Sequence, residues 1–192
     1  PAEPGANQPT EAEEMRRVLP VVRLAVTLGV PVSVDTSRAG VIRAVIEAGA
    51  DVINDTRDLQ EPGALQALAE APNVGVCLMH MLGSPGAMQD SPHYDNVVQS
   101  VRDFLFQRFN IAVHAGVASE RIALDPGYGF GKTPSHNLAL LRGQRSLLSL
   151  SRPLLVGWSR KSTLGVVTGR AVTGRLSGSV AAALASVVGG AN

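Results

Sequence analysis

Five times along this chain a short apolar run closes on polar residues, and a helical stretch follows. The runs are Val30 to Val34 leading into Asp35, Ala50 to Asp55, Val74 to His80, Ile122 to Asp125, and Leu154 to Ser159. Strands that are apolar throughout, rather than alternating, belong to parallel sheets covered on both faces. Strand-then-helix order with right-handed crossovers leaves a doubly wound sheet or a barrel. The polar strand ends favour the barrel. An open sheet gathers only the ends near its switch point, whereas a barrel brings every C-terminal end to one mouth. With Asp35, Asn54 and Asp55, His80, Asp125 and Ser159-Arg160-Lys161 closing successive runs, the pattern predicts an α/β fold, a (β/α)8 TIM barrel. A complete barrel takes eight units in typically ~250 residues. This chain of 192 residues carries about five, so residues 1–192 read as a partial TIM-barrel domain.

Spacing predicts helices over about 10–28, 38–48, 62–71, 95–115, 135–149 and 175–189. In the first, Thr10 with Glu13 reads as a capping box, Pro20 as a kink or break, and Gly29 as the stop. The tract Val180 to Val188 reads as a packed helix. Composition removes several classes of function. A 45% hydrophobic share with a net charge of +1 excludes disorder, and no run approaches the ~18 apolar residues of a membrane span. Seventeen basic against sixteen acidic residues leave no footprint for nucleic acid and no polybasic membrane tail. The single cysteine, Cys77, excludes a disulfide framework. With no signal peptide at the start, the expectation is a cytoplasmic protein.

Asp35 and Asp125 each follow an apolar strand. One such residue is as readily a helix cap or turn-former; two, with Asn54 at an equivalent place, favour a convergent site. Carboxylate and carboxamide oxygens match the N–H and NH₂ donor edge of a planar heterocycle. The segment Asp125-Pro-Gly-Tyr-Gly-Phe-Gly-Lys-Thr133 fails the spacing of both a P-loop and a dinucleotide fingerprint. Its glycines let backbone approach a ligand, and Phe130 can wall an aromatic substrate; a plain flexible loop is the alternative. Only Lys132 and Lys161 are lysines, against fifteen arginines. Both fall at strand ends, which hints at ammonium chemistry there, with an anion or ring carbonyl as ligand and a Schiff base as the lesser option. His80 is either at the mouth or a satisfied buried imidazole, His136 either caps or braces the glycine loop, and His93 and His114 read as loop and helix-surface residues. No pair has metal-ligand spacing. Met79 either lines a flat-ring pocket or fills the core, and Cys77 reads as inert.

VSVDTS, GADVIND, LMHMLGSPGAMQ, LDPGYGFGKTPSHN and LLVGWSRKS, in this order, closely resemble the bacterial dihydropteroate synthase family over nearly the whole chain. The resemblance implies an eight-stranded (β/α) barrel, usually dimeric, that is the sulfonamide target. Such enzymes join 4-aminobenzoate to 6-hydroxymethyl-7,8-dihydropterin pyrophosphate in folate biosynthesis and release pyrophosphate. It implies that Asp35, Asn54 and Asp125 hydrogen-bond the pterin and that Met79 and Phe130 pack on it. Gly157 joins the pterin contacts. Lys161 touches the ring and, with Phe130 and Ser159, lines the aminobenzoate site, while Arg160 braces a neighbouring loop. Asp35 and Lys161 are the implied catalytic pair, with carboxylates near the ring stabilising a pterin methylene cation. Mg²⁺ is the implied cofactor, its protein ligand expected outside this chain.

The family's opening Asn strand, its GGESTRPG loop and its closing Arg-x-His strand have no counterpart here. The expectation is therefore an internal fragment that keeps the pterin pocket, lacks the pyrophosphate grip and is inactive alone. A corrinoid-linked pterin methyltransferase shares the Asp/Asn/Asp edge but not the Ser-Arg-Lys segment or the glycine loop. A non-catalytic pterin-binding chain is the third alternative. The expected partners are the two small substrates and a second copy in the intact protein.

Overall fold

The computed structural model describes residues 9–83 and 92–192. Two compact units are formed, residues 1–79 with 107–123 and residues 80–106 with 124–192. The strand β4 (Ile122–Asp125) begins in the first and ends in the second.

In the first unit α1 (Glu11–Val26) opens the described chain. Thr10 Oγ1 accepts from the Glu13 amide at 3.3 Å, but the reciprocal half of the expected box is missing because the Glu13 carboxylate is held by Arg16 and Arg17. Pro20 does not break the helix, which runs through it to Val26. Pro20 lies on the exposed side, where water can take the Arg16 carbonyl that the missing N–H leaves free. Three strands follow with a helix after each of the first two: β1 (Ser33–Asp35), α2 (Ala39–Glu47), β2 (Val52–Asp55), α3 (Ala64–Ala69) and β3 (Gly75–Met79). They pair in parallel, Val34 beside Ile53 beside Val76, and all three are buried. The strand order β1-β2-β3-β4 is uninterrupted, as in a (β/α)8 barrel and unlike a doubly wound sheet with a switch point. Arg121 ties α3 to this sheet by donating to the Val74 and Ala71 carbonyls.

Side-chain alternation sorts the strand ends. Asp35 pairs in register with Asn54, and Asn54 with Cys77; Met79 stands two residues on from Cys77 and shares their face. Asp55 points the other way, with Ile53, and is fully buried. It accepts from the Arg57 amide at 2.8 Å, the Leu59 amide at 2.9 Å and Ser37 Oγ. Asp55 is thus a turn-former, holding a bend in which Asp58 and Leu59 adopt φ of 55° and 57°.

The second unit contains α4 (Val97–His114) up to Phe106, then α5 (Pro134–Gly143), α6 (Ser162–Thr168) and α7 (Leu176–Val188). The predicted helix over 135–149 splits into α5 and a 3₁₀ segment, Gln144–Leu150. The fifth predicted strand is reduced to one parallel bridge, Leu154 to Leu124. On its other side the Leu154 N–H donates to Asn192 Oδ1 at 3.1 Å and its carbonyl accepts from the Asn192 amide at 3.0 Å. The helix at 175–189 is present, but its packing is not as expected: only Ser186 is buried, and Leu176, Val180, Leu184, Val187 and Val188 are exposed. No helix among the described residues is long and apolar enough to cross a membrane.

Candidate functional site

In the first unit the register sets Asp35 and Asn54 side by side at the C-terminal ends of β1 and β2. Asp35 is reached by solvent yet crowded by protein atoms, and this desolvation raises its pKa; the negative charge of Asp55 pushes the same way. Asn54 Oδ1 is buried with no hydrogen-bond partner. A buried acceptor left unpaired costs ~1–3 kcal/mol, and beside a carboxylate it is an acceptor pair with unused capacity. Met79 is buried, so in the ligand-free protein it packs as core.

The second unit assembles a tighter group. Asp125 closes β4, is only 7% exposed, and accepts from the Gly127 amide at 2.7 Å. Burial pushes its pKa up to about 6, against the opposing effects of that bond and of the Lys161 and Lys132 charges. Lys161 Nζ sits 4.0 Å from the centroid of the Phe130 ring. Burial lowers its pKa and the Asp125 charge opposes the shift. Gly129, at φ +82°, lies against the Lys161 stem: a Cβ there would meet Cδ at 3.0 Å. The glycine loop is therefore a shaped wall that receives a cation, and not a flexible connection.

Several side chains fix that wall. Asn137 Oδ1 accepts from the Gly129 amide at 2.9 Å, while Nδ2 donates to the Thr133 carbonyl at 3.0 Å and to Thr163 Oγ1 at 2.9 Å. Thr133 and His136 form a reciprocal capping box at the start of α5, so of the two expectations for His136 the structure shows the cap. Tyr128 is buried against Trp158, with ring centroids 4.2 Å apart. Its hydroxyl donates to Gln144 Oε1 at 3.0 Å, Gln144 Nε2 donates to the Ser186 carbonyl, and Trp158 Nε1 donates to Ser186 Oγ at 2.9 Å. On the Ser-Arg-Lys segment it is the backbone that is braced. Arg160, at φ 55°, donates its amide to Ser179 Oγ at 2.9 Å, and Arg175 donates to the Arg160 carbonyl at 3.0 Å. Gly157 and Ser159 are exposed, and a Cβ at Gly157 would enter open space.

His80 is the satisfied buried imidazole, its pKa held down to about 3 by burial and by Lys132. Lys132 is buried and spends its ammonium on the glycine loop, which sets it apart from the ammonium chemistry anticipated at both lysines. Asn137, Gln144, Ser179 and Arg175 were not anticipated. Asn137 and Gln144 did carry a signal, since they share the buried stripe of α5 and its 3₁₀ extension with Leu140 at spacings of three and four. Among the described residues, no three His, Cys, Asp or Glu side chains are grouped to hold a metal ion.

Sequential parallel βα units with polar residues at the strand ends define the (β/α) barrel class of fold. Residues 1–192 match the family described as pterin binding enzyme. A dihydropteroate synthase from Escherichia coli is 45% identical over 190 residues, covering 98% of this chain and 67% of the relative. One from Neisseria meningitidis serogroup B is 46% identical over 192 residues. Among solved structures, the Yersinia pestis dihydropteroate synthase with a sulfonamide drug complex superposes with a TM-score of 0.96 at 45% identity, covering 100% of this chain and 70% of that one. The Xanthomonas albilineans enzyme with 4-aminobenzoic acid gives a TM-score of 0.92 at 44% identity. The chain belongs to the pterin-binding enzyme family, among the dihydropteroate synthases. It spans about two thirds of the length of these relatives.

Proposed function

We propose that this chain serves dihydropteroate synthesis, in which the amine of 4-aminobenzoate displaces pyrophosphate from 6-hydroxymethyl-7,8-dihydropterin pyrophosphate. The carrying observation is the group on the second unit: a buried Asp125 carboxylate, with Lys161 laid on the Phe130 ring. In this reading Asp125, Asp35 and Asn54 accept from the pterin N–H and NH₂ edge, which answers the unused capacity of Asn54 Oδ1. Phe130, Met79 and Gly157 lie against the ring. Lys161 donates to the ring carbonyl and, with Ser159 and Phe130, lines the aminobenzoate position. Negative charge on Asp35 and Asp125 stabilises a pterin methylene cation as pyrophosphate departs. The crystal complexes of relatives with 4-aminobenzoic acid and with 7,8-dihydropteroate support both halves of the ligand set. A homodimer belongs to the same reading, and the exposed apolar residues of α7 support it. Calorimetric titration of a pterin into this chain and into Asp125→Asn tests the assignment. Measurable binding that the substitution weakens at least tenfold is expected. Absent binding, or binding unchanged in Asp125→Asn, overturns it.

A further inference from the structure

The glycine loop is threaded around a buried cation that the proposed chemistry does not use. Lys132 Nζ lies 2.9 Å from His80 Nδ1, 2.9 Å from the Gly127 carbonyl and 3.0 Å from the Phe130 carbonyl. An ammonium donates and cannot accept, so His80 Nδ1 is an acceptor and the imidazole is neutral with its proton on Nε2. His80 is itself fixed: its ring meets Phe104 edge-on, with centroids 4.9 Å apart, and its amide donates to the Asp125 carbonyl at 3.0 Å. Lys132 thus runs from the end of β4, through His80, to the carbonyls on either side of Tyr128-Gly129. Tyr94 closes the far side, donating from its hydroxyl to the Gly131 carbonyl at 2.8 Å. Gly131 is pressed so close to Leu82 that a Cβ would sit 2.7 Å from the Leu82 carbonyl oxygen.

Each contact bears on the placement of one side chain. Phe130 stands between two residues that are tied down, and its own carbonyl is one of the acceptors of Lys132, beside His80 Nδ1 and the His80 and Gly127 carbonyls. Its ring is the surface on which Lys161 rests. We infer that Lys132 is a positioning residue: by gathering His80 and the Gly127 and Phe130 carbonyls on one ammonium, it sets the Phe130 ring beneath Lys161 and thereby holds Lys161 at the ligand. Lys132 touches no substrate in this arrangement; it acts through Phe130. The inference deepens the proposed function, and only its affinity readout depends on that reading.

The test separates the two. Only two lysines exist in the chain, so labelling with [ε-¹³C]lysine gives two resonances in the parent protein and Lys161 alone in Lys132→Met. In the ligand-free parent, the Lys161 ε-methylene protons are expected to be displaced upfield by the Phe130 ring current, and Phe130→Leu identifies that displacement. In Lys132→Met the displacement is expected to be lost. Lys132→Arg, which keeps a cation but cannot converge on these acceptors from one nitrogen, is expected to lose most of it; it serves if the Met variant does not fold. Retention of the full displacement in a folded Lys132→Met or Lys132→Arg overturns the inference, whether or not pterin binds. If the parent binds pterin, its affinity in these variants is expected to fall about tenfold, the scale of a partly desolvated cation–π contact. Failure of the parent to bind pterin refutes the function above and leaves the resonance test to decide the role of Lys132.

Discussion

Asp125 should destabilise the fold at neutral pH, and Asp125→Asn should therefore weaken pterin binding while strengthening the protein. Burial lifts the carboxyl from 3.8 to about 6, a shift of about 2 units. At ~1.4 kcal/mol per unit this is about 3 kcal/mol between the two protonation states. The sign follows from proton counting. Between about pH 4 and 6 the native state holds the Asp125 proton and the unfolded state does not, so stability falls as pH rises. The contribution is fully present below about 3.8 and lost as pH passes through about 6. The asparagine variant retains an acceptor for the Gly127 amide but brings an NH₂ group whose unpaired burial costs ~1–3 kcal/mol. At pH 7 the net gain is thus about 0–2 kcal/mol. The sharper quantity is the difference between the proteins across pH, since every other titration cancels. Linkage gives about 1 kcal/mol of relative change between pH 7 and pH 5, with the parent gaining on the variant as pH falls. Urea unfolding at pH 5, 6 and 7, followed by the fluorescence of Trp158 in the same unit, measures it. Stability curves that run parallel across this range refute the account of Asp125 as a carboxylate held unfavourably for binding, and so does a variant more than ~3 kcal/mol less stable at pH 7.

Pterin affinity in the parent should fall as pH drops below about 6, because protonated Asp125 loses acceptor capacity; calorimetry from pH 5 to 8 reads the inflection, and Asp125→Asn should flatten it. Asn54→Leu should leave thermal stability unchanged or raised by up to ~1 kcal/mol while abolishing pterin binding, since it removes an orphaned acceptor. Gly131→Ala should cost ~1–3 kcal/mol in a thermal melt, because its φ of +59° and the nearby Leu82 backbone both exclude a Cβ. Gly157→Ala, facing open space, should stay within ~0.5 kcal/mol of the parent. Tyr128→Phe should cost ~1–2 kcal/mol by leaving Gln144 Oε1 without its donor, read in the same melts.

The strand ends were legible because chemistry and period coincide there. Asp35 and Asn54 close apolar runs, and their cross-strand pairing follows from parallel alignment of those runs. Asp55 is legible from period two within Val52–Asp55: its neighbour Asn54 faces with Asp35, so Asp55 faces the other way. What the chain order could not reveal is convergence by hydrogen bonding across long separations. Lys132 looked like a second reactive ammonium because its type and strand-end position matched Lys161. The two differ only in what surrounds them, three carbonyls and an imidazole against one aromatic face and a nearby carboxylate.

The same limit explains α7. Its Val and Leu residues gave a correct helix, but hydrophobicity reports only that a face prefers cover, not what supplies it. The polar positions of that helix prove more informative than the apolar ones. Ser186 is its one buried residue and receives the Trp158 indole N–H, and Ser179 receives the Arg160 amide. A change at Ser179 reaches the Ser-Arg-Lys segment directly, and one at Ser186 reaches the adjoining Trp158 and, through Trp158 and Gln144, the Tyr128 wall. Ser186→Ala strands the indole N–H in a buried setting, a loss of ~1–3 kcal/mol. Leu184→Ser, on the exposed side of the same helix, should leave monomer stability within ~0.5 kcal/mol. Equal losses in the two variants would contradict the packing of α7 through Ser186. A loss confined to Ser186→Ala, with a red-shifted Trp158 emission, would place the coupling between α7 and the glycine loop in that one hydroxyl.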